Sequence, residues 1–449
     1  MRIRWRAGYW YAGAVLGLAA LASNCNRAEE AAAPNTLAGG DSSALSRERH
    51  RGPHDDHGKE ATTLYVWAQD VAHVAPDFLA VIDFDRHSPD YGKVLSTVPV
   101  PPPGNIGNEP HHCHTSRDQR VLACGGLLSV LKGQNDIFFF DITRPRQPRF
   151  MFSTRAPNSS ITDDFLPLPE GGFLVTNMGS ATGGAGGRVV EFDRDLNLVG
   201  EWPRELPADG GFNPHGIDAD FERNLLVTSD FVNPVTTLNV WTGPIQLWSS
   251  LRFWNLRERR IVRTVFLPDQ AGTMDVKLIP GDPHGRAVTT NMFTGLVYTV
   301  DPTDGSYVQS FDCEDIEPHV EVPVRGGMTQ LLAMPRSGRR LIFASFQAGQ
   351  VGMLDITDRN RFRQVSIVNL GLNSGPHSIH LTHDDRRLVV TDYFLDEEDF
   401  GKIHFDGDHK VHVLDVSDEA LVEDPDFQPI DFNTAFATGP ARPHGIGMK

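Results

Sequence analysis

Of the seven Pro-His dipeptides in the sequence, four stand far apart at the start of similar segments: Pro110-His111, Pro214-His215, Pro376-His377 and Pro443-His444. Neutral imidazole nitrogens are ligands for copper, iron, zinc and nickel, and a carboxylate beside such a ring accepts its second N–H, fixing its orientation and raising its basicity. A proline fixes its own φ and presses the residue before it toward an extended shape, so each dipeptide sets the angle at which a ligand-bearing strand begins. His112 and His114 extend the first motif to His-His-x-His. In a regular strand, alternation puts His112 and His114 on one face and His111 on the other, so either face could supply the ligand. By the same rule His380 lies on the opposite face from His377.

The segments that carry these residues repeat. His111 to Cys124, Asn213 to Thr228 and Gly375 to Thr391 each run strand, polar turn, strand. The pattern recurs with other opening residues at Thr162-Asp163, Met274-Asp275 and Thr329-Gln330, and a seventh copy starts at Arg442-Pro-His-Gly and stops with the chain. A third strand follows in each copy, often closing in an Asp, as in Ile137-Phe-Phe-Phe-Asp141 and Gln350-Val-Gly-Met-Leu-Asp355. Four short strands at a spacing of roughly fifty residues mark a β-propeller blade. The predicted fold is therefore all-β, a seven-bladed propeller over residues 63–449. Its truncated last blade is completed by Thr63–Trp67, Phe78–Asp83 and Lys93–Val98 from the N-terminal side, a closure that also hides sheet edges. An insertion rich in Trp and Leu between Phe231 and Asp269 leaves six or eight blades as alternatives.

The first strand of each blade lines the central channel, so matching positions converge in space. Here they hold His111 or His112, Asp163, His215, Asp275, Gln330, His377 and His444. The histidines are the predicted metal ligands, and Asp163 and Asp275 the predicted orienting or basic groups.

Composition agrees with a β architecture and narrows the function. Forty-two Gly and 31 Pro call for many turns and few long helices. The net charge of −17 becomes −20 once the three arginines of residues 1–22 are removed, which repels polyphosphate and argues against nucleic-acid binding. Arg2, Arg4 and Arg6, an apolar run from Ala7 to Ala22 and the small-x-small Ala20-Leu21-Ala22 read as an export signal over residues 1–22, with a periplasmic or other extracytoplasmic destination. Cys25 offers an alternative as a lipid-anchored first residue, the one membrane contact the sequence suggests. Residues 23–62 are polar and aperiodic and read as a disordered tether. Cys113 and Cys124 lie either side of a turn at Asp118-Gln119, where pairing across a hairpin and two buried free thiols are both open readings.

The sequence contains no Gly-x-Ser-x-Gly elbow, no phosphate loop and no His-Glu-x-x-His. The glycine run Gly179 to Gly187 sits between two strands and reads as a blade loop. From about Leu64 to Lys449 the chain resembles the selenium-binding protein family, which includes the bacterial methanethiol oxidases. The stretches that carry the resemblance are Ile137 to Arg149, Gly179 to Trp202, Leu251 to Leu256 with Arg260 to Thr264, and Leu354-Asp-Ile-Thr-Asp358. The resemblance implies a seven-bladed propeller, a copper centre on histidines, and oxidation of a small thiol by dioxygen to aldehyde, sulfide and peroxide. The family's His pair falls on His111 and His112, and its C-terminal His on His444. The departures are Leu166-Pro-Leu-Pro-Glu170 in place of a His-Thr-Ser-His-Cys stretch, and a shortened cysteine segment, Cys113 to Cys124.

Three readings follow. The first is a copper oxidoreductase acting on a small sulfur compound with dioxygen. The second is a non-haem iron oxygenase cleaving an aromatic or polyene substrate, similar in its four histidines to the carotenoid and stilbene cleavage oxygenases, with the Phe231–Trp254 insertion as an apolar mouth or an oligomer contact. The third is a non-catalytic copper-binding propeller.

Overall fold

A computed structural model describes residues 60–449, with Ala185 and Gly210 excepted. The export signal, Cys25 and the tether as far as residue 59 lie outside the described residues. Seven sheets of four or five strands, plus a two-stranded hairpin, make up the described chain. Their inner strands are Pro110–Thr115, Ser159–Pro167, Pro214–Asp220, Thr273–Leu278, Thr329–Ala333, Ser378–Leu381 and Ala441–Met448, which we number as blades 1 to 7. Each inner strand contacts the next, and the seventh contacts the first, so the ring is closed. This is the seven-bladed propeller read from the sequence.

Blade 7 is built from both chain ends, in the order Val94–Pro99, Phe78–Asp83, Thr63–Asp70, Ala441–Met448. The amides of Thr62 and Thr63 donate to the Lys449 carbonyl at 2.8 and 2.7 Å. Ala61 is buried and its carbonyl accepts from Arg387 at 2.8 Å. Residues 60–62, assigned to the tether by sequence, thus already belong to the folded unit.

Stacked sheets bury both faces of a middle strand, which is why Ile137–Asp141 reads as an unbroken apolar run. Its alternate residues feed different interfaces. Phe138 and Phe140 pack on Trp67 of blade 7 at ring-centroid distances of 5.3 and 5.6 Å, while Phe139 packs on Phe192 of blade 2 at 5.4 Å. Cys113 and Cys124 lie directly opposite each other in blade 1 and are disulfide-bonded.

Trp67 is fully buried, and its indole N–H donates to the Gly125 carbonyl of blade 1 at 2.8 Å. Trp67→Ala is expected to destabilise the protein by about 3–5 kcal/mol. Val74→Ala, at a residue 76% exposed, should stay within about 0.5 kcal/mol. Urea unfolding of the two variants checks this, and equal midpoints would show that the blade 7–blade 1 seam does not govern stability.

Candidate metal centre

The axis is reached through a repeated irregularity. In six blades the pairing of inner and second strands shifts register at the site residue, between Pro110 and Cys113, Thr162 and Phe165, Pro214 and Ile217, Thr273 and Val276, Thr329 and Leu332, and opposite His444. A bulge puts two residues against one and re-aims a side chain. His111 and His112 consequently both reach the axis, their rings stacked at 4.3 Å, and strict alternation fails. After the bulge the channel face resumes three residues on, not two. His114, Leu166, Asp218, Leu278, Ala333, His380 and Gly447 each follow a site residue by three, and all line one cavity.

Second-strand hydroxyls hold the bulges from the neighbouring blade. Thr176 donates to the His215 carbonyl at 2.6 Å, Ser229 to Met274 at 2.9 Å, Thr290 to Gln330 at 2.9 Å and Thr391 to His444 at 2.8 Å. The Gly of Pro-His-Gly is needed for close approach: a Cβ on Gly445 would stand 2.2 Å from the His111 carbonyl oxygen.

Asp163 gathers three imidazoles. Its Oδ1 lies 3.1 Å from His112 Nδ1, and its Oδ2 lies 3.2 Å from His111 Nε2 and 3.3 Å from His215 Nε2. On the far side, His377 Nδ1 donates to Gln330 Oε1 at 2.5 Å. With both Nδ1 atoms engaged as donors, His112 and His377 turn their Nε2 atoms toward each other at 3.3 Å. Two nitrogens bound at about 2.0–2.1 Å to one tetrahedral ion stand about 3.3 Å apart. One potential ligand atom each from His111, His112, His377 and His444 lies within 4.8 Å of all the others, and a second group joins His111, Asp163 and His215. His444 has no hydrogen-bond partner at either ring nitrogen, and Nδ1 of His111 and of His215 has none. Buried polar atoms left so cost about 1–3 kcal/mol each, which a cation among them would offset. The donor set therefore fits a metal ion.

The electrostatics keep the ligand lone pairs available. Burial, then the charge of His112, pushes His111 down to about 4. Burial and the surrounding rings hold His377 and His444 well below the usual value, and burial lowers His215 against the pull of Asp163. Burial also opposes the charged form of His112, but Asp163 outweighs it and raises that pKa. Burial works against the Asp163 carboxylate, yet His215, His112 and His111 hold its pKa well below the carboxylate range.

All five predicted histidines meet at the axis, where Asp163 lies within 3.1 to 3.3 Å of three of them. Asp275 makes its hydrogen bonds elsewhere. It keeps its register position, but its Oδ1 accepts from Lys277 at 2.9 Å and its Oδ2 from the Leu332 amide at 2.9 Å, so its carboxylate ties blade 4 to blade 5. Nor does the Phe231–Trp254 insertion form an open mouth. Phe231 packs edge-on against His215 at 5.2 Å, and beyond it Thr237 accepts from Lys402 and Asn239 donates to Phe400, both in a blade 6 loop. Blades 3 and 6 are not neighbours, so this contact crosses the axis. Sequence reasoning missed this cap, and it missed Asp164, Asp218 and Lys277 in the cavity. Their only signal is, for Asp218, the spacing of three from His215, for Asp164 adjacency to Asp163, and for Lys277 a place two residues after Asp275.

A closed β-propeller with an imidazole cluster on its axis is the class of protein defined here. The chain belongs to the 56 kDa selenium binding protein (SBP56) family, which it matches over residues 51–449. It is 24% identical over 332 residues to a methanethiol oxidase of Danio rerio, covering 67% of this chain and 70% of that one. It is also 21% identical over 382 residues to the Homo sapiens methanethiol oxidase, with 71% and 77% covered, and 24% identical to selenium-binding protein 2 of Mus musculus, with 66% of each covered. Among solved structures, a hypothetical selenium-binding protein from Sulfolobus tokodaii superposes with a TM-score of 0.70 at 16% identity, over 87% of this chain and 94% of that one.

The pKa of His444 is lower folded than unfolded, so as pH falls below about 6.5 the unfolded chain takes up the proton first and stability is lost. In metal-free protein, His444→Gln should therefore flatten the decline of unfolding free energy between pH 6.5 and 5 by about 1.4 kcal/mol per pH unit. Parallel urea titrations read this, and identical slopes for variant and wild type would show that His444 is not held neutral.

Proposed function

We propose that this protein is an exported copper oxidoreductase that acts on a small thiol, with His111, His112, His377 and His444 as the ligands and Asp163 orienting the rings. The observation that carries the reading is the facing pair of Nε2 atoms on His112 and His377, 3.3 Å apart. Two lone pairs cannot face each other at that distance in a buried place without a positive charge between them: a proton in the metal-free protein, a metal ion in the loaded one. Metal uptake then releases a proton. The names of the methanethiol oxidase relatives support a small sulfur compound as substrate. The Cys113–Cys124 bond supports an oxidising compartment, as does the basic and apolar start of the sequence.

Held by His111, His112, His377 and His444, a copper ion would supply one-electron steps. In the balanced reaction one methanethiol, one dioxygen and one water give one formaldehyde, one hydrogen sulfide and one hydrogen peroxide, and two electrons pass from carbon to dioxygen. The chain's own residues orient and exclude. Asp163 and Gln330 fix two ring tautomers, and the packed cap keeps water off one side of the site. His215, whose buried Nδ1 has no partner, is the base the site offers for the thiol proton.

Protein loaded with copper and dialysed against chelator should retain a stoichiometric ion, give a Cu(II) electron paramagnetic resonance signal with nitrogen hyperfine structure, and consume methanethiol with dioxygen. His377→Ala and His444→Ala should retain none, and Asp163→Asn should bind about 10–100-fold more weakly. Retention of neither copper nor iron by the wild type would falsify the reading.

A further inference from the structure

The two ends of the imidazole centre differ. On one side lies an apolar layer that includes Leu127, Met178, Phe231, Met292, Phe346 and Phe394, one from each of blades 1 to 6, all buried. Phe394 packs on His377 at 4.6 Å and Phe231 on His215 at 5.2 Å. Outside that layer the blade 3 and blade 6 loops pair through Leu238 and Gly401, and Glu398 takes Lys132 of blade 1 at 3.3 Å and His73 of blade 7 at 3.0 Å. Four blades thus tie down the cap.

On the other side a cavity of about 440 Å³ runs down the axis along the second halves of the inner strands, and His112 lines its inner end. Solvent penetrates it. The Lys277 side chain is 24% exposed and that of His112 4%, whereas His377 and His444 are at 0%. Its wall is charged unevenly. Asp164, Asp218 and Asp275 stand round the single ammonium of Lys277, and His114 and His380, their rings 5.9 Å apart, also line the cavity. Each carboxylate also accepts a backbone N–H of the next blade, Asp164 from Ile217 at 3.4 Å, Asp218 from Leu278 at 2.8 Å and Asp275 from Leu332 at 2.9 Å. Those amides fix the acids in place without neutralising them. With Arg336 and Asp385, which also line it and pair with each other, four carboxylates stand against two cations and leave the bore net negative, in a narrow, low-dielectric passage where such a field is focused.

We infer that this bore is the entrance to the imidazole centre and that its acids act as a charge filter, admitting small neutral and cationic molecules and rejecting anions. Resting on the reading above, this confines the substrates to thiols without a carboxylate or sulfonate, methanethiol or a cationic aminothiol among them. Asp218 is a specificity residue in this scheme, and Lys277 keeps the acids from repelling one another.

Thiol labelling tests the filter without using turnover. In a Cys25→Ser, Cys313→Ser background, a probe cysteine is introduced singly by Ala333→Cys in mid-bore or Leu331→Cys at its inner end, the two positions guarding against one variant failing to fold. Each is treated with methyl methanethiosulfonate, its trimethylammonioethyl analogue or its sulfonatoethyl analogue, and every rate is divided by that of the same reagent on free 2-mercaptoethanol. The neutral and cationic reagents should label both positions, and the anionic one should be roughly tenfold slower than the cationic. Asp218→Asn should narrow that ratio. A closed bore, seen as no labelling by the neutral reagent at either position, overturns the inference, and so does an anionic rate equal to the cationic. Metal content measured on the same samples keeps the two conclusions apart: selective labelling without metal retention keeps the filter and removes the copper reading, and metal retention without selectivity does the reverse.

Discussion

The interaction on which the rest depends is the gathering of His111, His112 and His215 by the buried carboxylate of Asp163. Without that charge, five imidazoles crowded together away from water would be a concentration of polar atoms with too few partners. With it, one ring is biased toward the protonated form and the others stay neutral, so a place hostile to charge becomes a set of free lone pairs. Gln330 performs the corresponding service for His377 from the opposite side of the ring. Both anchors are side chains on inner strands, so the site is only as exact as the closure of the propeller, and closure rests on the pinning of Thr62 and Thr63 to Lys449 and of Trp67 to Gly125.

Much of this architecture is legible in the residues themselves. A blade buried on both faces must read as an apolar run, and the runs recur with enough regularity that the inner-strand position can be picked out in all seven copies. Ring geometry then brings those positions together whatever their separation in sequence. What alternation could not supply was the bulge. A regular strand separates His111 from His112, and the register shift between Pro110 and Cys113 instead delivers both to the axis. In blade 1 the same shift moves the channel face by one residue, which is why His114 belongs to the bore and not to the metal centre. Asp275 holds the expected strand position, but Lys277, two residues on, takes its carboxylate, and its charge reaches His112 and His215 only from a distance.

The cap was illegible for a different reason. It is made of insertions from blades 3 and 6 that meet across the axis, and a contact between Thr237 and Lys402 leaves no periodic trace in either segment. Local sequence marks an insertion as rich in Trp and Leu but does not say whether those side chains line an opening or fill one. Here Phe231 and Phe394 fill it, each packed against a ligand ring or its neighbour.

Cap and bore together explain how an open propeller axis becomes a one-sided site. A ring of inner strands has two ends, and a reactive centre with both ends open would exchange its contents with solvent freely. The apolar layer removes one end by packing, at a place where the aromatic rings also stiffen the imidazoles they touch. The other end is left passable but lined with carboxylates, each held by a backbone amide of the following blade. Those amides serve the fold by joining neighbouring blades, and the acids serve the site by setting the sign of the field along the bore that leads to His112. One set of side chains therefore closes the ring of blades and determines what reaches its centre, so a change that relaxes the filter also loosens the seam between blades 3 and 4 or 4 and 5.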